Sequence, residues 1–309
     1  MTTGLEAIRE RIASRVVGRE RELTLVLAAV AAGRDILLEG PPGTSKSTIL
    51  RAITQEWGIP LVFVEGNADL TPAKLVGHHN PARVLKEDYS ADNFVDGPLL
   101  EAMREGGFLY IEEFNRAPED TLNTLLTAMA ERRIAVPRAG TVTAKPTFRV
   151  IASMNPYDNI GTTRLSTSVH DRLNRLAITY QDEDAERGIV KLRAPLPALD
   201  PAIYDRLVAD AVAVTRATRN HEDIRQGSSV RGAIDLTAVA GELFNLSERP
   251  VESADAQESA YRDLVFDAMV VSLSGRIHLD ETVEATPEQV LRQIWEDHFI
   301  LNPAAAEPG

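Results

Sequence analysis

Gly40-Pro-Pro-Gly-Thr-Ser-Lys-Ser47 decides how this chain is read. It follows the apolar run DILLE (Asp35–Glu39) and precedes a segment in which Ile49, Leu50, Ile53 and Trp57 recur at helical spacing until Gly58. A strand, a glycine-rich turn and a helix opening on lysine form the context in which backbone N–H groups cradle phosphates. The usual pattern of such a loop, G-x-x-x-x-G-K-[ST], has glycine before the lysine, and here that position is Ser45. A positive φ there would cost a non-glycine residue about 1–2 kcal/mol. A helical backbone would instead let the serine hydroxyl bond a first-turn N–H, and that milder conformation is the expectation. Lys46 is placed to bridge β- and γ-phosphates, and the Ser47 hydroxyl to bind Mg²⁺.

Working outward, four more short apolar runs alternate with helical patterns: LVFVE (Leu61–Glu65), FLYIE (Phe108–Glu112), FRVIASM (Phe148–Met154) and LAITY (Leu176–Tyr180). Continuous rather than alternating apolar runs suit strands covered on both faces, hence a parallel sheet. Leu122, Leu125, Leu126 and Met129 mark a helix between Pro118 and Arg132, with Pro118 in its first turn. The expected architecture is a three-layer α/β core over residues 1–181 followed by a helical domain over 182–309. A hinge falls near Gln181–Pro201, and no strand run is visible after Ala202.

The run ending at Glu112 carries a second carboxylate, Glu113. In phosphate-loop ATPases the first acid of such a pair holds Mg²⁺ through water and the second orients the attacking water. Glu112 stands where aspartate is usual, and a water-bridged contact absorbs the extra methylene. Lys46 and Glu113 are expected to converge from two neighbouring strand ends on one magnesium-bound triphosphate.

Bulk properties exclude several classes. A net charge of −13 argues against general electrostatic attraction to nucleic acid. The absence of cysteine among 309 residues rules out disulfides, thiolate zinc sites and cysteine nucleophiles. Leu23–Ala32, the longest apolar run, is about half of what spans a bilayer, so it is read as a buried helix. No basic cap and apolar stretch opens the chain, and a soluble cytoplasmic protein is the expectation. His78 and His79 are a poor chelating pair, because successive residues of an extended segment point oppositely.

The order of these motifs resembles AAA+ ATPases of the MoxR family, in the group that includes the magnesium-chelatase ATPase subunit. IEEFNRAP (Ile111–Pro118) is similar to that family's acidic-pair segment, with Glu112 as the departure. SMNP (Ser153–Pro156) resembles its first sensor, making Asn155 a holder of the attacking water. VHDRLNR (Val169–Arg175) resembles the segment carrying its arginine finger. The likeness favours Arg172, although Arg164 and Arg175 lie close by. SSVRGAIDL (Ser228–Leu236) resembles its second sensor, placing Arg231 against the phosphates. VVGRE (Val16–Glu20) resembles the segment near the adenine. The nucleotide-binding set implied is Val17 and Gly18 with Gly40, Pro41, Pro42, Gly43, Thr44, Ser45, Lys46, Ser47 and Thr48. The likeness runs from about Val16 to Leu236.

The resemblance implies ATP and Mg²⁺ as ligands and a homo-oligomeric ring, usually of six, in which the finger reaches the neighbouring subunit's nucleotide. It implies a von Willebrand A-domain partner and a client protein, in metal insertion or cofactor maturation. Segments 70–100 and 131–148 sit where the family carries hairpins that press on a partner. A nucleic-acid motor on the same core and a non-hydrolysing nucleotide-bound scaffold are the competing readings. Overall acidity counts against the first; Ser45 and Glu112 together suggest the second.

Overall fold

Five strands form one parallel sheet: β1 (Ile36–Glu39), β2 (Leu61–Glu65), β3 (Phe108–Glu112), β4 (Arg149–Met154) and β5 (Asn174–Ala177), in the order β2-β3-β4-β1-β5. The computed structural model describes residues 2–13, 15–87, 91–156, 165–246 and 254–301, which fall into two units, Met1–Thr179 and Tyr180–Gly309.

The sheet belongs to the first unit, and the period of two along its strands explains its two cores. Leu37, Leu109, Ile111, Val150 and Ala152 feed one buried cluster. Ile36, Leu38, Phe108, Tyr110 and Ile151 feed the other, under the helices Glu20–Ala31 and Lys46–Trp57. Both faces are covered, which is why every residue of Phe108–Ile111 is buried. The run Leu23–Ala32 lies in the helix Glu20–Ala31, with Leu23, Val26, Leu27 and Val30 buried. No helix among the described residues is long and apolar enough to cross a membrane.

Three expectations shift. The last strand occupies Asn174–Ala177, not Leu176–Tyr180. At a sheet edge only the backbone must pair, so exposed Asn174 and Arg175 serve there. Pro118 precedes its helix, Glu119–Glu131, as the cap rather than opening its first turn. β1 and β3 are not neighbours, because β4 lies between them.

The segment 70–100 contains an antiparallel ribbon of Gly77–His79 with Phe94–Asp96, and the segment 131–148 one of Arg133–Val136 with Gly140–Thr143. A ring nitrogen of His79 lies 3.2 Å from the carbonyl oxygen of Pro137, joining the two insertions.

The second unit packs the helices Pro201–Ala217, Val230–Leu246, Ala254–Leu273 and Pro287–Glu296 around a core including Leu207, Val212, Leu236, Val265 and Leu291. Part of the expected hinge is a helix, Glu183–Arg193, capped by the Asp182 carboxylate accepting from Ala185 N at 2.8 Å. A small antiparallel ribbon, Ile224–Gln226 with His278–Leu279, accompanies these helices. It is too short to leave an apolar run in the sequence.

Candidate active site

β1 delivers the chain to the loop at Glu39, which is buried. Gly40 is required by close approach, since a Cβ there would stand 2.0 Å from the carbonyl oxygen of Ile178. Gly43 turns the loop at φ 74°. Lys46, only 9% exposed, donates from Nζ to the carbonyl oxygens of Gly40 and Pro41, both at 2.8 Å. Thr44 Oγ1 donates to the Pro41 carbonyl at 2.9 Å and lies 3.5 Å from the lysine ammonium. The loop therefore wraps its own cation. The helix Lys46–Trp57 starts here, and its first-turn N–H groups have no acceptor within the helix.

Ser47 is the second residue of that helix, and its Oγ donates to Glu112 Oε1 at 2.9 Å. This bond closes the loop onto the end of β3, across the intervening β4. The Tyr110 hydroxyl lies 3.1 Å from Ser47 Oγ, 3.3 Å from Glu112 Oε1 and 2.9 Å from Ser153 Oγ on β4. A lysine-bearing glycine loop, a hydroxyl and a carboxylate form the donor set that a magnesium-bound polyphosphate needs, so the residues present fit that ligand. The longer Glu112 reaches the Ser47 hydroxyl directly.

Glu113 follows a different course. It leaves β3 in the left-handed conformation (φ 53°, ψ 44°), and its carboxylate meets Arg116 Nε at 2.9 Å. It does not join the Ser47–Glu112 cluster. Gly66 lies against this turn, where a Cβ would stand 2.3 Å from the Glu113 carbonyl oxygen. Asn155 comes directly after β4, beside the loop entrance, because Gly40 N donates to Met154 O at 3.1 Å. Its carbonyl accepts from Asn115 Nδ2 at 3.5 Å.

Known proteins resemble this chain in sequence and in fold. Residues 35–173 match the AAA domain of the dynein-related subfamily. The gas vesicle ATPase GvpN1 of Halobacterium salinarum is 29% identical over 270 residues, covering 78% of this chain and 76% of its own. The chain is similar to AAA+ ATPases. A protein of Staphylococcus epidermidis carrying no functional name is 28% identical over 209 residues, 67% of this chain and 78% of that one. Among solved structures, the Holliday junction branch migration motor RuvB of Thermotoga maritima superposes with a TM-score of 0.51. It is 18% identical and covers 82% of this chain and 70% of that one, which speaks for the fold alone.

Within this chain the remaining expected residues are dispersed. Gly18 is at φ 66°, between partly buried Val17 and the buried Arg19, whose guanidinium donates to Thr179 O at 2.5 Å. Thr48 is exposed on the helix opened by the loop. Arg172 ends the helix Thr167–Arg172, exposed, and donates to Ser168 O at 3.0 Å within that helix. Arg175 is bonded to the Glu39 carboxylate of the same chain, which sets it apart from Arg172. Arg164 lies outside the described residues. Arg231 is exposed on the helix Val230–Leu246 of the second unit.

The expected helical conformation of Ser45 is overturned. Its φ of 66° and ψ of 18° are left-handed, and its side chain makes no cap hydrogen bond. The loop must turn here before the helix starts, and neither Pro41 nor Pro42 can supply a positive φ. Of the four non-glycine residues with positive φ among those described, two, Ser45 and Glu113, belong to this site, which is where stored backbone strain concentrates. Ser45→Gly is therefore expected to stabilise the protein by about 1 kcal/mol, the left-handed penalty less the entropy glycine adds to the unfolded chain. ATP affinity should stay the same, because the angle is already set without ligand. Denaturant unfolding with no shift in midpoint would show that the angle carries no strain.

Tyr110 and Ser153 were missed in the sequence. The available signals were a hydroxyl two residues before Glu112, hence on the same strand face, and a lone serine inside an apolar strand.

Proposed function

We propose that this ATPase hydrolyses Mg-ATP within a homo-oligomeric ring, most simply a hexamer, and uses the cycle to remodel a client protein together with a von Willebrand A-domain partner. The observation that carries the reading is the Ser47–Glu112 hydrogen bond of 2.9 Å, which joins the phosphate loop to the acidic strand end. Lys46 binds the phosphates, Ser47 and Glu112 hold Mg²⁺, and Glu113 and Asn155 position the attacking water. Bound there, the cation offsets phosphate charge and polarises the bond that breaks. Arg172 serves the neighbouring subunit, and Arg231 reports nucleotide state from the second unit.

A protein client is supported by the acidic balance of the chain and by relatives named for gas vesicles rather than for nucleic acid. Metal insertion or enzyme maturation is the proposed setting. The two insertions, joined through His79 and Pro137, are suited to press on such a client as one body, with Leu85 88% exposed on the helix Pro81–Glu87 between the first ribbon's strands.

Lys46→Ala tests the binding half of this reading. Loss of a charged donor to phosphate costs about 3 kcal/mol, or roughly a hundredfold in ATP affinity. Calorimetric titration checks it, and parent-like affinity would place the nucleotide elsewhere. The mass of the parent protein in Mg-ATP tests the ring: a monomer turning over at full rate would sink it. Turnover stimulated by DNA would replace the protein client with nucleic acid.

A further inference from the structure

Three elements of the site meet at one buried hydroxyl. Tyr110 is 1% exposed, and its ring packs against Phe63 with centroids 5.8 Å apart. Its oxygen touches Ser47 at the helix start, Glu112 at the end of β3 and Ser153 on β4. Counting protons gives one set of directions that satisfies Glu112 from both hydroxyls. A carboxylate only accepts, and a tyrosine hydroxyl has one proton. Ser47 donates to Glu112 Oε1, Tyr110 donates to the same oxygen, and Ser153 is left to donate to the Tyr110 oxygen. Two hydroxyl protons converge on one carboxylate oxygen, and neither of these bonds uses Oε2.

That arrangement matters for a cation. A serine oxygen that lends a lone pair to a metal must aim its proton elsewhere, and Glu112 Oε1 receives it. Glutamate also has one more rotatable bond than aspartate, so its carboxylate has more freedom to lose on ordering. The Tyr110 hydroxyl restricts that freedom.

We propose that Tyr110 is a positioning residue for the divalent cation of this ATPase, holding Ser47 and Glu112 in their cation-binding arrangement and tying them through Ser153 to the strand that leads to Asn155. The inference rests on the assignment of Ser47 and Glu112 as the metal holders. It gives the glutamate at position 112 a compensating partner in the neighbouring side chains.

Tyr110→Phe keeps the ring and removes the hydroxyl. ATP binding is measured by calorimetry in EDTA and then across a Mg²⁺ titration. Affinity in EDTA should be unchanged, while the Mg²⁺ concentration for half of the metal-dependent gain should rise about tenfold, as expected for a lost partner of a metal ligand. Ser153→Ala should move the same curve less, since it removes only the donor to Tyr110. In a Glu112→Asp background Tyr110→Phe should do little, because the shorter carboxylate no longer reaches the hydroxyl. Equal losses with and without Mg²⁺, or an unmoved Mg²⁺ curve, overturn the proposal. A parent protein that binds no nucleotide, or whose binding ignores Mg²⁺, overturns the assignment of the site itself, so the two failures are distinct. Thermal unfolding checks that Tyr110→Phe folds; if it does not, Ser153→Ala decides by the same two outcomes.

Discussion

Arg172→Ala is expected to slow ATP turnover about 10³- to 10⁵-fold, the worth of a cation placed on the transferring γ-phosphoryl group, and to leave ATP affinity nearly unchanged. Arg172 is exposed at the end of its helix and bonds only the Ser168 carbonyl among the contacts described for it, so its removal leaves no buried charge unpaired. Arg175 presents the opposite case, because its guanidinium is committed to buried Glu39 at the mouth of the loop. If Arg172 acts across a subunit boundary, Arg172→Ala and Lys46→Ala subunits should complement when mixed. The first keeps a nucleotide site and the second keeps the arginine. Activity regained on mixing two inactive variants has no explanation within one subunit. Parent-like turnover by Arg172→Ala, or equal losses of binding and turnover, would move the finger to another arginine.

The fold was legible because burial on both faces of a parallel sheet leaves continuous apolar runs, and Phe108–Ile111 is such a run followed by two acids. The strand order was not. A parallel crossover can place the next strand beside its predecessor or two positions away, and no residue of β1 or β3 announces that β4 lies between them. The edge strand was misplaced because its polar residues, Asn174 and Arg175, carry no hydrophobic signal. The placement of Lys46 and Ser47 at the helix start, with Glu112 at a strand end, was legible because residue type and pattern dictate it, whereas the departure of Glu113 towards Arg116 was not. Backbone angle was not, because serine at position 45 adopts a glycine-like φ with nothing in its own chemistry to require it. The tyrosine network was hidden for another reason. Ser153 and Tyr110 look like ordinary strand residues until the sheet order sets them side by side.

Glu113→Gln is expected to reduce turnover about 10²- to 10⁴-fold, the usual worth of a positioned general base, while ATP stays bound. The amide keeps the shape of the side chain and one acceptor oxygen, so what it removes is the charge that draws a proton from water. In this structure the Glu113 carboxylate is on Arg116 at 2.9 Å, with the two side chains 41% and 39% exposed. An ion pair so exposed contributes about 0–1 kcal/mol, so breaking it should barely move stability, and a large kinetic loss can be assigned to chemistry. If Glu113 is the base, the same weakness makes its release from Arg116 inexpensive. The left-handed turn at Glu113 points the same way, because a non-glycine residue in that conformation is retained where the side chain must be aimed off the strand line. Glu113→Gln should accordingly accumulate as an ATP-bound assembly, seen as nucleotide co-eluting at parent stoichiometry with no phosphate released. Hydrolysis at the parent rate would instead show that the proton is taken by another group, and Glu113 would then be only the partner of Arg116.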